Sequence, residues 1–119
     1  AARARSATVN HTHPFDMKVL DAELRAFSER NAQRRCTVEI DERELGAQIL
    51  GHGLPFVGAT YDRAERIVSL MFGASELDGH HLTHAVPNVT AVDASTDEEG
   101  RDRVLRLGTG KGQTLVSLE

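Results

Sequence analysis

Apolar and polar residues alternate along this chain in two rhythms. From residue 16 to about residue 33, Met17, Leu20, Leu24 and Phe27 recur at steps of three, four and three. That spacing marks one face of a helix. Lys18, Asp21, Arg25 and Glu29 fall on the opposite face. There Asp21 with Arg25, and Arg25 with Glu29, are opposite charges four residues apart, a weakly stabilising arrangement. Asp16 stands where a carboxylate can cap the first free amides. After Arg35 the period drops to two. Cys36, Val38 and Ile40 alternate with Thr37, Glu39 and Asp41, the pattern of a half-buried strand.

Alternation resumes after a charged turn at residues 42–44. Leu45, Ala47 and Ile49 alternate with Gly46 and Gln48 until Gly51, Gly53 and Pro55 break the run. Residues 56–61 (FVGATY) predict a third strand, and residues 62–65 (DRAE) a turn into Ile67–Phe72. That last run, IVSLMF, is apolar on both faces except at Ser69, which predicts a central strand or one inside a closed sheet. Residues 73–79 read as a loop that could hold one helical turn. Residues 81–86 are ambiguous, and Pro87 ends them. Residues 89–95, 102–107 and 113–118 predict further strands, the last two joined by the loop GTGKG. Short strands at close spacing, with no second long helix, favour antiparallel meanders over parallel crossovers.

The predicted fold is therefore α+β. One N-terminal helix packs on a curved antiparallel sheet of about six to eight short strands, with a small barrel as the alternative. Residues 1–15 read as a flexible tail and residues 16–119 as a single domain, since the start of the chain has no period.

Composition narrows the classes. The chain has 119 residues, 39% hydrophobic and 27% charged, which is the balance of a globular domain. Aromatics are only 4%, so the expected core is aliphatic. Eighteen acids against fourteen bases give a net charge of −4, which argues against a nucleic-acid partner. No apolar run nears the roughly 20 residues of a membrane span, and none is expected at a membrane. One cysteine, Cys36, excludes an internal disulfide. With no secretory pattern at the start, a reducing, cytoplasmic setting is expected.

Histidine is where chemistry could lie, since six are present against five aromatic residues. Three cluster in His80-His81-Leu82-Thr83-His84. On a helix, His84 would meet His80 or His81, as metal ligands do. Gly79 and Pro87 argue against that helix. On a strand, His81 and His84 would face opposite sides, and His80 and His84 would stand roughly 13 Å apart. The plainer expectation is histidines at a rim, bonded to nearby loops.

Other candidates are weaker. Gly108-Thr109-Gly110-Lys111-Gly112 resembles a phosphate loop, but Leu105 holds the first glycine place, Gly112 follows the lysine, and a strand comes next. A glycine-rich hairpin explains it. Cys36 lies in register with Val38 and Ile40, as a core residue would. His11-Thr12-His13 falls in the expected tail. The carboxylates are dispersed, with Glu42, Glu44 and residues 97–99 in turns.

The order of short motifs carries a resemblance. Residues 26–30 (AFSER) lead into Thr37-Val38-Glu39-Ile40. Then follow Leu45-Gly46-Ala47-Gln48, Gly53-Leu54-Pro55-Phe56-Val57-Gly58, residues 67–73 (IVSLMFG) and His81-Leu82-Thr83-His84-Ala85-Val86. Over residues 16–119 this order resembles a small bacterial family of uncharacterised proteins, a domain of unknown function with L-G-A-Q, L-P-x-x-G and H-L-T-H motifs. The chain departs from it at residues 31–34, where members are richer in aromatics, and at His80, where an acidic residue is usual. The resemblance implies a compact, stand-alone protein and no activity.

The expected function is accordingly a non-enzymatic interaction or accessory domain. Exposed sheet edges suit a homodimer or another protein partner, without cofactor, metal or nucleic acid. The alternative is a small-molecule or metal site using His81 and His84, near Glu76 and Asp78.

Overall fold

The computed structural model describes residues 11–73 and 81–119. Eight strands and one helix occupy them. β1 (His11–Pro14) precedes a 3-10 turn (Met17–Val19) and helix α1 (Leu20–Asn31). Then come β2 (Arg35–Glu42), β3 (Gly46–Asp62), β4 (Ile67–Phe72), β5 (Leu82–Pro87), β6 (Val89–Thr96), β7 (Asp102–Thr109) and β8 (Gly112–Leu118). All pairings are antiparallel, in one sheet of order β1-β6-β7-β8-β2-β3-β4-β5. The terminal strands β1 and β5 do not pair with each other, so the sheet is open and not a barrel.

Connectivity curls it nevertheless. Only Asn88 separates β5, at one edge, from β6, beside the other edge. Asn88 turns the chain at φ 58°, its amide donating to the Arg66 carbonyl at 3.0 Å. The two ends of the sheet are thereby pinned at one corner, and the sheet becomes a trough.

The inside of the trough is the core. Along β2, Cys36 and Val38 are fully buried; along β8, Val116; along β7, Leu105 and Leu107; along β4, Val68 and Leu70. These are every second residue, as the period of two requires. Helix α1 lays Leu20, Leu24 and Phe27 onto this face, all fully buried. Asp16 caps the turn before it, its carboxylate accepting from the Lys18 amide at 2.9 Å. Among the described residues the expected ion pairs within the helix are replaced by one with the β3–β4 turn, Asp21 to Arg63 at 3.5 Å. Ser28 Oγ accepts from the Ala59 amide at 2.9 Å and donates to the Leu24 carbonyl, fastening the helix to β3.

The aromatics are few but concentrated. Phe15, Phe27, Phe56 and Phe72 form a continuous run with ring centroids 5.8 to 6.2 Å apart. The core is aliphatic elsewhere and aromatic beneath the helix.

Two segments differ from the sequence reading. Gly51, Gly53 and Pro55 do not end a strand. β3 runs 17 residues through all three and changes partner at Pro55. Gly46 to Pro55 pair with β2, and Phe56 to Asp62 pair with β4. Gly53 takes a positive φ of 67°, and bulges shift the register at Val38 and at Phe56. The glycines absorb the irregularity, and the proline sits where the partner is exchanged. Second, the part of the expected tail from His11 is ordered. His11–Pro14 pairs with β6, and the Phe15 amide extends the pairing to the Val92 carbonyl at 2.8 Å.

Candidate ligand-binding cleft

The helix fills only part of the trough. Toward the β2–β3 and β7–β8 turns the same face opens into a cleft of about 450 Å³. Its floor is one row across three strands. Ile40 of β2 pairs in register with Thr114 of β8 on one side and Gln48 of β3 on the other. The three share a face because directly opposed residues on paired strands do. His84, Val86 and Asn88 form the facing wall, and Leu45, Glu42 and Lys111 stand at the rim.

The turns that carry the rim are tied together. The Arg43 amide donates to the Lys111 carbonyl at 3.1 Å, and the Arg43 guanidinium donates to the Gly110 carbonyl. Gly112 brings β8 against β2 so closely that a Cβ there would stand 2.2 Å from the Asp41 carbonyl oxygen. Any other residue would force the two turns apart. The GTGKG segment is thus a tight hairpin with Thr109 opposite Gly112, and its Lys111 amide is taken by Thr109 Oγ1 at 3.1 Å.

Strand parity decides the histidines. Leu70 faces His84 across the β4–β5 pairing, and Val68 faces Val86. Leu70 and Val68 are buried in the trough, so His84 and Val86 point inward. Burial holds the His84 imidazole below its ordinary value of 6.5, so it enters the cleft as a neutral donor and acceptor. His81 precedes the strand, is exposed and does not line the cleft. The two residues named together from the sequence are therefore not brought together. His80, Glu76 and Asp78 lie outside the described residues.

The other histidines are apart. His13 reaches Thr96 Oγ1 at 3.2 Å on β1, and His52 Nδ1 lies 2.8 Å from Thr37 Oγ1 on the exposed part of β3. Among the described residues no three His, Cys, Asp or Glu side chains converge as a metal needs, and no helix is long and apolar enough to cross a membrane. Cys36 is fully buried; burial, and secondarily the Glu119 charge, push its thiol up to about 11. It stays protonated and donates to the Leu54 carbonyl at 3.3 Å.

One polar cluster escapes sequence reading. Asp102, almost wholly buried, accepts from Arg30 Nε at 3.0 Å and from Asn31 Nδ2 at 2.8 Å. Arg34 donates to Asn31 Oδ1, to the Asp102 carbonyl and to the Glu119 carbonyl. Desolvation, and then repulsion from Arg101 and Arg103, lower the Arg34 pKa. The partners are 71 residues apart in sequence, so no local pattern announces them. Every strong acceptor here is engaged within the chain, which makes the cluster a clamp on the end of α1.

Most of the cleft's exposed surface is carbon, and Gln48, Thr114 and His84 offer hydrogen bonds, with one ion of each sign at the rim. The architecture is an α+β one in which a single helix half-fills an open antiparallel trough. The chain belongs to a family of unknown function (DUF5335), whose model matches residues 14–119. That match begins within β1, close to the start that motif order indicated. No curated protein and no solved structure matches the chain.

Proposed function

We propose that this protein is a non-enzymatic binding module whose working surface is the His84 cleft. Its ligand is largely apolar with hydrogen-bonding groups. The observation that carries the reading is the row Thr114–Ile40–Gln48 facing His84 and Val86 across about 450 Å³. That volume lies in the range of ligand sites, and hydrogen-bonding groups set in a largely carbon surface are theirs too. His84 serves as a neutral hydrogen-bonding group rather than as a metal ligand. A reducing, cytoplasmic setting is part of the reading, supported by a single buried thiol.

The test is a fragment screen followed by amide chemical shifts on isotope-labelled protein. Fragments are expected to move the resonances of Ile40, Gln48, His84, Val86 and Thr114 together, and His84→Ala is expected to weaken the hits at least fivefold. Hits that scatter over the surface, or none at all, would overturn the reading.

A further inference from the structure

The cleft has one wall of a different kind. Five consecutive residues, His84 to Asn88, line it. Alternate side chains of a strand point to opposite faces, so one face alone could supply only every second residue. The run includes Ala85 and Pro87, whose side chains face the other way, so the strand's backbone, and not only its inward side chains, borders the cleft.

The direction of that strand's backbone groups follows from one hydrogen bond. The Asn88 amide donates to the Arg66 carbonyl, so this pair is of the hydrogen-bonded type. The register of β4 with β5 continues without a shift from Ile67 opposite Pro87 to Phe72 opposite Leu82. Hydrogen-bonded and non-hydrogen-bonded pairs alternate in an antiparallel ladder. Leu82, His84 and Val86 therefore spend their backbone groups on β4. Thr83 and Ala85 aim N–H and C=O outward, and Pro87 aims C=O outward. Among the described residues no strand pairs with them.

Edges of this kind are normally guarded by charge, by bulges or by extreme shortness. β1 is guarded, being only four residues long. β5 is six residues, regular, and without an acid, lysine or arginine. Its one titratable side chain, His84, points inward. An uncharged strand meets no repulsion here.

From this placement we infer that the ligand is an extended, uncharged peptide segment that adds to β5 as a ninth strand, its apolar side chains at alternate positions entering the cleft. This rests on the cleft being the binding site, as proposed above. Strand addition draws affinity from main-chain bonds and specificity from pockets for alternate side chains. Both parts are present side by side. A linear segment suits the edge better than a second copy of this chain. A second copy would bring its own β2–β3 and β7–β8 turns, which stand across the cleft from the very edge that would have to pair.

The experiment selects binders from a phage-displayed library of random twelve-residue peptides and measures the synthesised winners by fluorescence anisotropy. The winners are expected to lack charge over about six central residues and to place an apolar residue at every second one. Ala85→Pro removes one outward amide at an exposed edge position, where proline is tolerated. It is expected to weaken binding at least tenfold, while Ala85→Ser, which keeps the amide, stays within twofold. Exchange of the Thr83 and Ala85 amides, read on the unmutated protein, is expected to slow when the peptide binds.

Equal binding by Ala85→Pro with fast exchange at both amides would overturn the inference. So would a library without a binder, or light scattering that shows a dimer in which those two amides become protected. If fragments still move the cleft resonances in any of these cases, the binding-module reading stands and only the strand fails. If neither fragments nor peptides reach the cleft, both fail.

Discussion

The two ends of the trough are built from the same strands and filled differently. Beneath α1 the row of Phe27, Phe56 and Phe72 is sealed, each ring at most 1% exposed. Toward the turns the same strands end in Ile40 half-buried, Gln48 exposed and His84 half-buried. One end is covered by a helix and the other by nothing among the described residues. The lesson is about placement. The closed end carries the hydrophobic stabilisation, and this leaves the open end free to carry polar groups without a matching loss.

The sharpest way to break this contrast is at the closed end. Phe27 touches both neighbours of the aromatic run, with centroids 6.2 Å from Phe15 and 5.8 Å from Phe56. Phe27→Ala is expected to cost about 3–5 kcal/mol, the range for a buried aromatic ring replaced by a methyl group. Chemical denaturation followed by far-UV circular dichroism reads it. A loss below about 1 kcal/mol would mean that the helix end is not the stabilising one.

A smaller effect is expected at the clamp that holds the helix. Asp102→Asn keeps the shape and removes the charge that Arg30 and Asn31 address. About 1.5–3 kcal/mol is the usual contribution of a hydrogen bond to a charged group. The lower half of that range is expected, because the Arg30 side chain is 54% exposed and solvent screens its share. Equilibrium unfolding of the variant checks it, and a variant as stable as the parent would show the clamp to be idle.

What the sequence disclosed follows the same division. The helix and the strands β2, β4, β6, β7 and β8 are written in local periods. A strand's parity needs no tertiary knowledge. The cleft floor is different. Ile40, Gln48 and Thr114 become neighbours only through pairings that link β8, β2 and β3, and each residue alone looks unremarkable. β3 misled for a related reason. Gly51, Gly53 and Pro55 are local breakers, but an exchange of pairing partners is a non-local event that uses breakers without stopping. The four residues of β1 are too few for any period, and Asp102 meets Asn31 across 71 positions.

The subtlest effect belongs to the open end and depends on pH. Burial lowers the His84 pKa from 6.5, so the unfolded chain binds a proton at this site more readily than the folded one. Stability then rises with pH wherever the unfolded state holds more protons. His84 therefore leaves stability undiminished above about pH 6.5. It draws stability down as pH falls from that value toward the lower folded one, because the folded site must desolvate a cation or shed it. His84→Gln keeps a hydrogen-bonding group of similar size and cannot titrate. The expected outcome is that the parent loses more stability than His84→Gln between pH 7.5 and pH 5, measured as the difference in urea midpoints. Subtracting the two proteins cancels the other histidines. Parallel pH profiles would mean that His84 is as well solvated folded as unfolded. The trough would then be open to water beyond the rim, and the two ends would differ in the quantity of packing alone.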